Sequence, residues 1–206
     1  LKEASEWITK DYQITRNNVL KHIDKLIKQK IILVSGLNHV GKSNYSRVMK
    51  EILEAMGFSC HLINTNKWQK SKNPIFSEDN SINNYDLPKI YDFIKKCIRK
   101  EFPIYHNYSI NLGNDFSITD LNETIYGNSI IIIEGPPLSN IFQKVGDNAF
   151  KIFLSKPSHE REKSLESKIE YHKFSYQDKV TLLKKIKGED QLITQNYLKY
   201  SDVLIE

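Results

Sequence analysis

The chain has 206 residues, of which 39% are hydrophobic and 27% charged, and its formal net charge is +5. That length suits one domain with a real core, and that composition excludes a disordered chain; no apolar run approaches the roughly 20 residues a membrane-spanning helix needs. The 30 Lys and Arg are interspersed with 25 Asp and Glu, which reads as a lysine-rich surface rather than a nucleic-acid-binding face.

Residues 1–29 read as one or two helices, with Trp7, Ile8, Leu20, Ile23, Leu26 and Ile27 at helical spacing and Asn17-Asn18 as a cap or break. They form an N-terminal helical extension over residues 1–30, ahead of a main domain at 31–206. Residues 31–35 are an apolar strand buried on both faces. Gly36-Leu37-Asn38-His39-Val40-Gly41-Lys42-Ser43 follows, a complete G-x-x-x-x-G-K-S loop, and then a helix over 43–56 with Gly57 at its C-cap. A strand feeding a glycine loop into a helix N-terminus aims backbone N–H groups and the positive end of the helix dipole at one spot. That spot suits a polyphosphate. Gly36 and Gly41 permit the turn, Lys42 supplies a point charge for the terminal phosphates, and the Ser43 hydroxyl is an oxygen ligand for Mg²⁺. Asn38, His39, Val40 and Asn44 complete the nucleotide-binding set.

Phe58 to Ile63 reads as the next strand, Asn64 to Ser81 as a long polar loop, and Leu87 to Lys100 as a helix. Asp86 is placed to cap that helix, which Pro88 begins. Phe102 to Ile110 is aromatic and β-branched and reads as a strand or extended edge; Asn111 to Gly127 reads as loop with a short helix around Ile118 to Ile125. Ile130 to Ile133, four isoleucines in a row, is the clearest buried strand in the chain, and it ends in Glu134. A carboxylate at that place is what a phosphate-loop enzyme uses near its Mg²⁺, commonly through a metal-bound water. Phe150 to Leu154 is another strand. Ser158 to Lys187 is helical and charged, Gly188 interrupts it, Glu189 to Lys199 is a further helix, and Val203 to Ile205 is a last strand. Strands alternating with helices imply an α/β fold with a mainly parallel sheet covered on both faces. Ligands then sit beyond the carboxyl ends of the strands, where Gly36, Asn66 and Glu134 can share one crevice. Cys60 and Cys97 have no metal-ligand spacing and read as ordinary thiols, and Leu1 to Glu6 does not read as a secretion signal, so the expected setting is cytoplasmic.

Beyond the loop, the order of blocks is informative. Asn84-Tyr85-Asp86-Leu87-Pro88-Lys89-Ile90-Tyr91-Asp92 is followed by Phe102-Pro103-Ile104-Tyr105, then by the isoleucines with Glu134-Gly135, then by Lys199-Tyr200-Ser201-Asp202-Val203-Leu204-Ile205. This series resembles the uridine kinase and phosphoribulokinase group of P-loop kinases, over residues 30–206. The resemblance implies transfer of the γ-phosphate of ATP, with Mg²⁺, to a hydroxyl of a nucleoside or related small molecule. It implies Lys42 and Ser43 as phosphate and metal ligands, Glu134 as the acid near the metal, Asp86 against the acceptor's sugar, and Tyr105 near its base. It implies a helical lid at about 156–190. A homo-oligomer is compatible with it, and a membrane partner is not expected.

Three positions depart from that group's pattern. Its Asp after the second strand is Asn66 here, and an amide orients a hydroxyl but is no base near neutral pH. Its Asp after Pro-x-Tyr is His106, which puts pyrimidine selectivity in question and makes His106 a candidate acceptor-side residue. Its arginine-rich lid has here only Arg161, with Lys163, Lys168 and Lys173, and lysine gives no bidentate fork on phosphate. The expected function is therefore a small-molecule kinase with Lys42, Asn66, Glu134 and Arg161 at its centre. The alternative is a nucleotide-binding protein that has lost catalysis and uses ATP occupancy as a structural or regulatory signal.

Overall fold

The computed structural model describes residues 2–37, 39–70, 84–111, 118–157, 159–162 and 198–205, with isolated positions between 177 and 194; for 2–11, 106–111 and 118–123 it describes the backbone alone. Five strands form one parallel sheet in the order β2-β5-β1-β6-β7, where β1 is Ile31–Gly36, β2 Cys60–Asn64, β5 Ile130–Glu134, β6 Phe150–Leu154 and β7 Val203–Ile205. All residues of β1, β5 and β6 are buried. Successive side chains of a strand point to opposite faces, so full burial means that both faces are covered. Each buried isoleucine of β5 removes apolar surface worth about 1.5–3 kcal/mol from water.

α3 (Lys42–Ala55) buries Val48, Met49, Ile52 and Leu53 at helical spacing and packs on β1, β2 and β5. Gly57, at φ 90, ends it as expected. α4 (Leu87–Ile98) buries Ile90, Phe93, Ile94 and Cys97, one stripe of the helix. Both cysteines are buried free thiols, and burial pushes Cys60 up to about 11 and Cys97 up to about 12, which leaves them unreactive at neutral pH.

Four expectations are corrected. The N-terminal helix α1 (Lys2–Lys21) runs straight through Asn17-Asn18, and the break falls at His22, before α2 (Ile23–Gln29). Asn17 is exposed, so it costs the helix little, while Val19 and Leu26 are driven into the core. Ile118 to Ile125 is not a helix but the strand β4, paired antiparallel with β3 (Ile104–Asn111) in a separate hairpin. Ile118, Leu121 and Ile125 sit at helical spacing, but cross-strand pairing of the β-branched residues overrides that local signal. A short helix, α5 (Ser139–Val145), follows β5 and was not expected. Gly188 is itself helical, as is Lys187, while residue 189 lies outside the described residues. Lys163, Lys168 and Lys173 lie outside the described residues. No described helix is long and apolar enough to cross a membrane.

Candidate functional site

Strand register assembles the site. Val34 and Asn64 are both paired with Glu134, and Gly36 with Leu154, so β1, β2, β5 and β6 end along one edge of the sheet. The loop after β1 is anchored on both sides. The Leu37 N–H donates to the Leu154 carbonyl at 3.1 Å, and the Gly135 N–H donates to the Val34 carbonyl at 3.0 Å. Ser35 adds a second tie: its hydroxyl donates to the Pro136 carbonyl and accepts from the Ser139 N–H, each at 3.1 Å. Gly41 has φ 89 and caps α3, a conformation that glycine adopts without steric cost. At Gly36 a side chain would strike the Leu154 carbonyl oxygen at 2.2 Å, so the strand can pass β6 only without one.

A cleft of about 380 Å³ opens beside this loop, lined by His39, Lys42, Ser43, Asn64, Asn66 and Glu134. Gly41 and Asn44 also border it. The Ser43 hydroxyl donates to Glu134 Oε1 at 2.9 Å, and the Asn64 amide donates to the same oxygen. Lys42 Nζ lies at the loop mouth, 2.7 Å from the Leu37 carbonyl and 3.3 Å from that of Gly36. Burial pushes the Glu134 carboxyl up from its ordinary value, while the Ser43 hydroxyl, the Lys42 ammonium and the Asn64 amide pull it back. A divalent cation fits this donor set. The Ser43 hydroxyl and a Glu134 carboxylate oxygen, both hard ligands, converge there, and a cation would stabilise that buried carboxylate. Among the described residues no group of three or more His, Cys, Asp or Glu side chains is arranged to hold a metal ion.

Asn66 lies in the same cleft, in the turn after β2. Its Oδ1 accepts from the Tyr85 hydroxyl at 2.9 Å and from Gln69 Nε2 at 3.3 Å, and its N–H donates to Asn64 Oδ1 at 2.7 Å. Asn64, Gln69 and Tyr85 are thus site residues that sequence reasoning missed. Their signal was position: each lies within three residues of one already singled out.

The remaining candidates are elsewhere. The Asp86 carboxylate caps α4, accepting from the Lys89 N–H at 3.2 Å and pairing with Lys89 Nζ at 3.0 Å. Those bonds hold it below the ordinary carboxylate range. Its stabilising contribution is therefore present above about pH 4 and is lost as pH falls through the folded-state value. Asp86→Ala is expected to cost about 1 kcal/mol at neutral pH, and urea unfolding at pH 7 and pH 3 should show the difference shrinking in acid. Tyr105 is 75% exposed, at the rim of a second cleft of about 430 Å³ between α4 and β3, with Trp68, Phe93 and Ile104 in its wall. Arg161 pairs with Asp190 and donates from Nε to the Lys156 carbonyl at 3.0 Å. Val40 is buried. Asn38 and the side chain of His106 lie outside the described residues.

No protein-family model matches the chain, and no curated protein matches it in sequence. Solved structures do match. A candidate fructose transport system kinase from Silicibacter sp. TM1040 superposes with a TM-score of 0.63 at 14% identity, over 85% of this chain and 89% of that one. A candidate uridine kinase from Bacillus stearothermophilus gives 0.57 at 10% identity, over 85% and 88%. The chain has the P-loop kinase fold. D-glycerate 3-kinase from Cryptococcus neoformans var. grubii shares it more distantly, at a TM-score of 0.50 and 8% identity over 91% and 87%. Within the P-loop kinase fold, the glycine loop and the end of β5 are where this chain carries Lys42, Ser43 and Glu134.

Proposed function

We propose that this chain is an ATP- and Mg²⁺-dependent small-molecule kinase that transfers the γ-phosphate to a hydroxyl of a nucleoside or related acceptor. One observation carries the reading: a glycine loop at a helix N-terminus, with Lys42 at its mouth and the Ser43–Glu134 pair, at 2.9 Å, beside it. Gly36 and residues 38–44, Asn38 to Asn44, hold the donor. Their backbone N–H groups and the start of α3 face the phosphates, and Lys42 neutralises charge on them. Bound Mg²⁺ would draw negative charge from the phosphate oxygens, with Ser43 as ligand and Glu134 beside it.

Asn66 orients the acceptor hydroxyl from the far wall of the cleft. The second cleft, with Trp68 and Tyr105, holds the rest of the acceptor, with Asp86 and His106 as further candidate acceptor contacts. Residues 1–30 are the helical extension and about 156–190 the lid. Arg161 would reach the transferring group only by exchanging Asp190 for phosphate. The structural neighbours support this reading through their shared fold, and a cytoplasmic setting suits it. The test is single-turnover transfer from labelled ATP to a panel of nucleosides, sugars and hydroxy acids. Transfer to at least one acceptor is expected. Intact Mg²⁺-ATP binding with no transfer to any of them would instead identify a nucleotide-binding protein without catalysis.

A further inference from the structure

The phosphate loop borders two clefts, not one. On the β5 side lies the polar cleft with Ser43 and Glu134. On the β6 side lies a small slot of about 70 Å³, and Gly41 and Asn44 belong to the walls of both. A ligand gripped by the loop can therefore pass from one into the other without leaving the protein surface.

The chemistry of the slot differs from that of the polar cleft. Val40, Leu154 and Ile205 line it from the loop and the ends of β6 and β7, with Tyr45, Ser155 and Lys156 beside them. Ile14 and Thr15 make the outer wall, and both come from α1. α1 packs along α3, the helix that starts at the loop, and Thr15 and Val19 of α1 are buried. Ile14, at 39% exposed, is left facing the slot and solvent together. The aliphatic side chains in this lining suit the face of a flat ring. That aliphatic part of the lining offers the polar groups of a phosphate or a sugar no partners.

We propose that the N-terminal helix is part of the donor site: Ile14 and Thr15 close the outer wall of a slot for the nucleobase, contiguous with the phosphate loop. This rests on the reading of the loop as a triphosphate site. It gives α1 a binding role beyond packing. It also makes recognition of the donor base depend on a segment outside the 31–206 domain. Because the slot is small and open, the base stays partly in solvent.

The experiment is titration of Mg²⁺-ATP and of Mg²⁺-tripolyphosphate, which lacks ribose and base, into wild type, Ile14→Asn and Ile14→Leu. Asparagine is neutral and close in size, so it changes the wall without adding charge near the phosphates. Ile14 is partly exposed, so the fold tolerates it, and a thermal melt confirms that. Ile14→Asn should weaken ATP about five- to tenfold and leave tripolyphosphate unchanged, while Ile14→Leu retains both affinities. Equal effects on the two ligands, or no effect of Ile14→Asn on ATP, would overturn the proposal. If wild type binds tripolyphosphate but ATP no better, the loop reading stands and the base slot falls. If wild type binds neither, the loop reading itself fails and takes the slot with it.

Discussion

Lys42→Ala is expected to slow phosphoryl transfer about 100- to 1,000-fold and to weaken Mg²⁺-ATP binding strongly, with little change in stability. Lys42 lies where the loop, the start of α3 and the Ser43–Glu134 pair converge, and its ammonium is held by two loop carbonyls, at 2.7 and 3.3 Å. Those carbonyls are neutral acceptors. A triphosphate is a far stronger partner, and a charge-assisted bond to phosphate is about twice as strong as one between neutral groups. The lysine therefore meets the phosphates with its stem already directed to the loop mouth. Its removal also withdraws a positive charge that favours ionised Glu134, so the metal side of the site weakens along with the phosphate side. Lys42→Arg is not expected to rescue the rate, because a planar fork does not fit where a point charge is cradled by the loop. Isothermal titration with Mg²⁺-ATP, single-turnover kinetics and a thermal melt separate the outcomes. A Lys42→Ala chain that kept full affinity for Mg²⁺-ATP would remove the basis for the proposed function.

What could be read in advance divides along local and non-local lines. The glycine loop, α3 and the four-isoleucine strand were legible because each is specified by its own residues: a motif, a helical stripe, an unbroken apolar run. Asp86 as a helix cap was legible for the same reason, since the cap, Pro88 and the stripe Ile90, Phe93, Ile94 and Cys97 lie within one short segment. β4 was not legible. Its partner β3 ends before a stretch of chain that separates the two, and Ile118, Leu121 and Ile125 taken alone favour a helix. Glu134 was found as a strand-end acid, but Asn64, the amide that meets it, was not. That contact exists only because β2 and β5 pair in parallel with Asn64 opposite Glu134, 70 residues apart in the chain. The Gln69–Tyr85 pairing that brackets Asn66 is of the same kind, an isolated antiparallel bridge that closes a long excursion. The resemblance to P-loop kinases supplied order where local pattern was soft. It could not say how Asn66 is held.

Asn66→Asp is expected to raise the transfer rate at least about tenfold. The surroundings of position 66 are already suited to a carboxylate. The Tyr85 hydroxyl at 2.9 Å and Gln69 Nε2 at 3.3 Å point donors at the side-chain oxygen, and the main-chain N–H is fixed on Asn64 Oδ1 at 2.7 Å. A carboxylate accepts everything that the amide oxygen accepts, and it has a second oxygen to turn toward the cleft. The substitution therefore keeps the local structure and changes the chemistry. The amide presents N–H donors to an acceptor hydroxyl and can only hold it, whereas a carboxylate can take its proton as the bond to phosphorus forms. General-base assistance is worth about 100- to 10,000-fold in favourable cases, but a loose phosphoryl-transfer transition state needs the proton removed late and gains less from it. Hence the expectation sits at the low end. Two donors on the new carboxylate also hold its pKa low, so it stays ionised at neutral pH and any acid limb it adds to the rate lies near or below about pH 4. Single-turnover rates against pH, with the acceptor that wild type uses, measure both effects. An unchanged rate and an unchanged profile, at unaltered Mg²⁺-ATP affinity, would mean that the acceptor hydroxyl does not meet position 66. The reacting oxygen would then have to be sought nearer Glu134, on the β5 side of the same cleft.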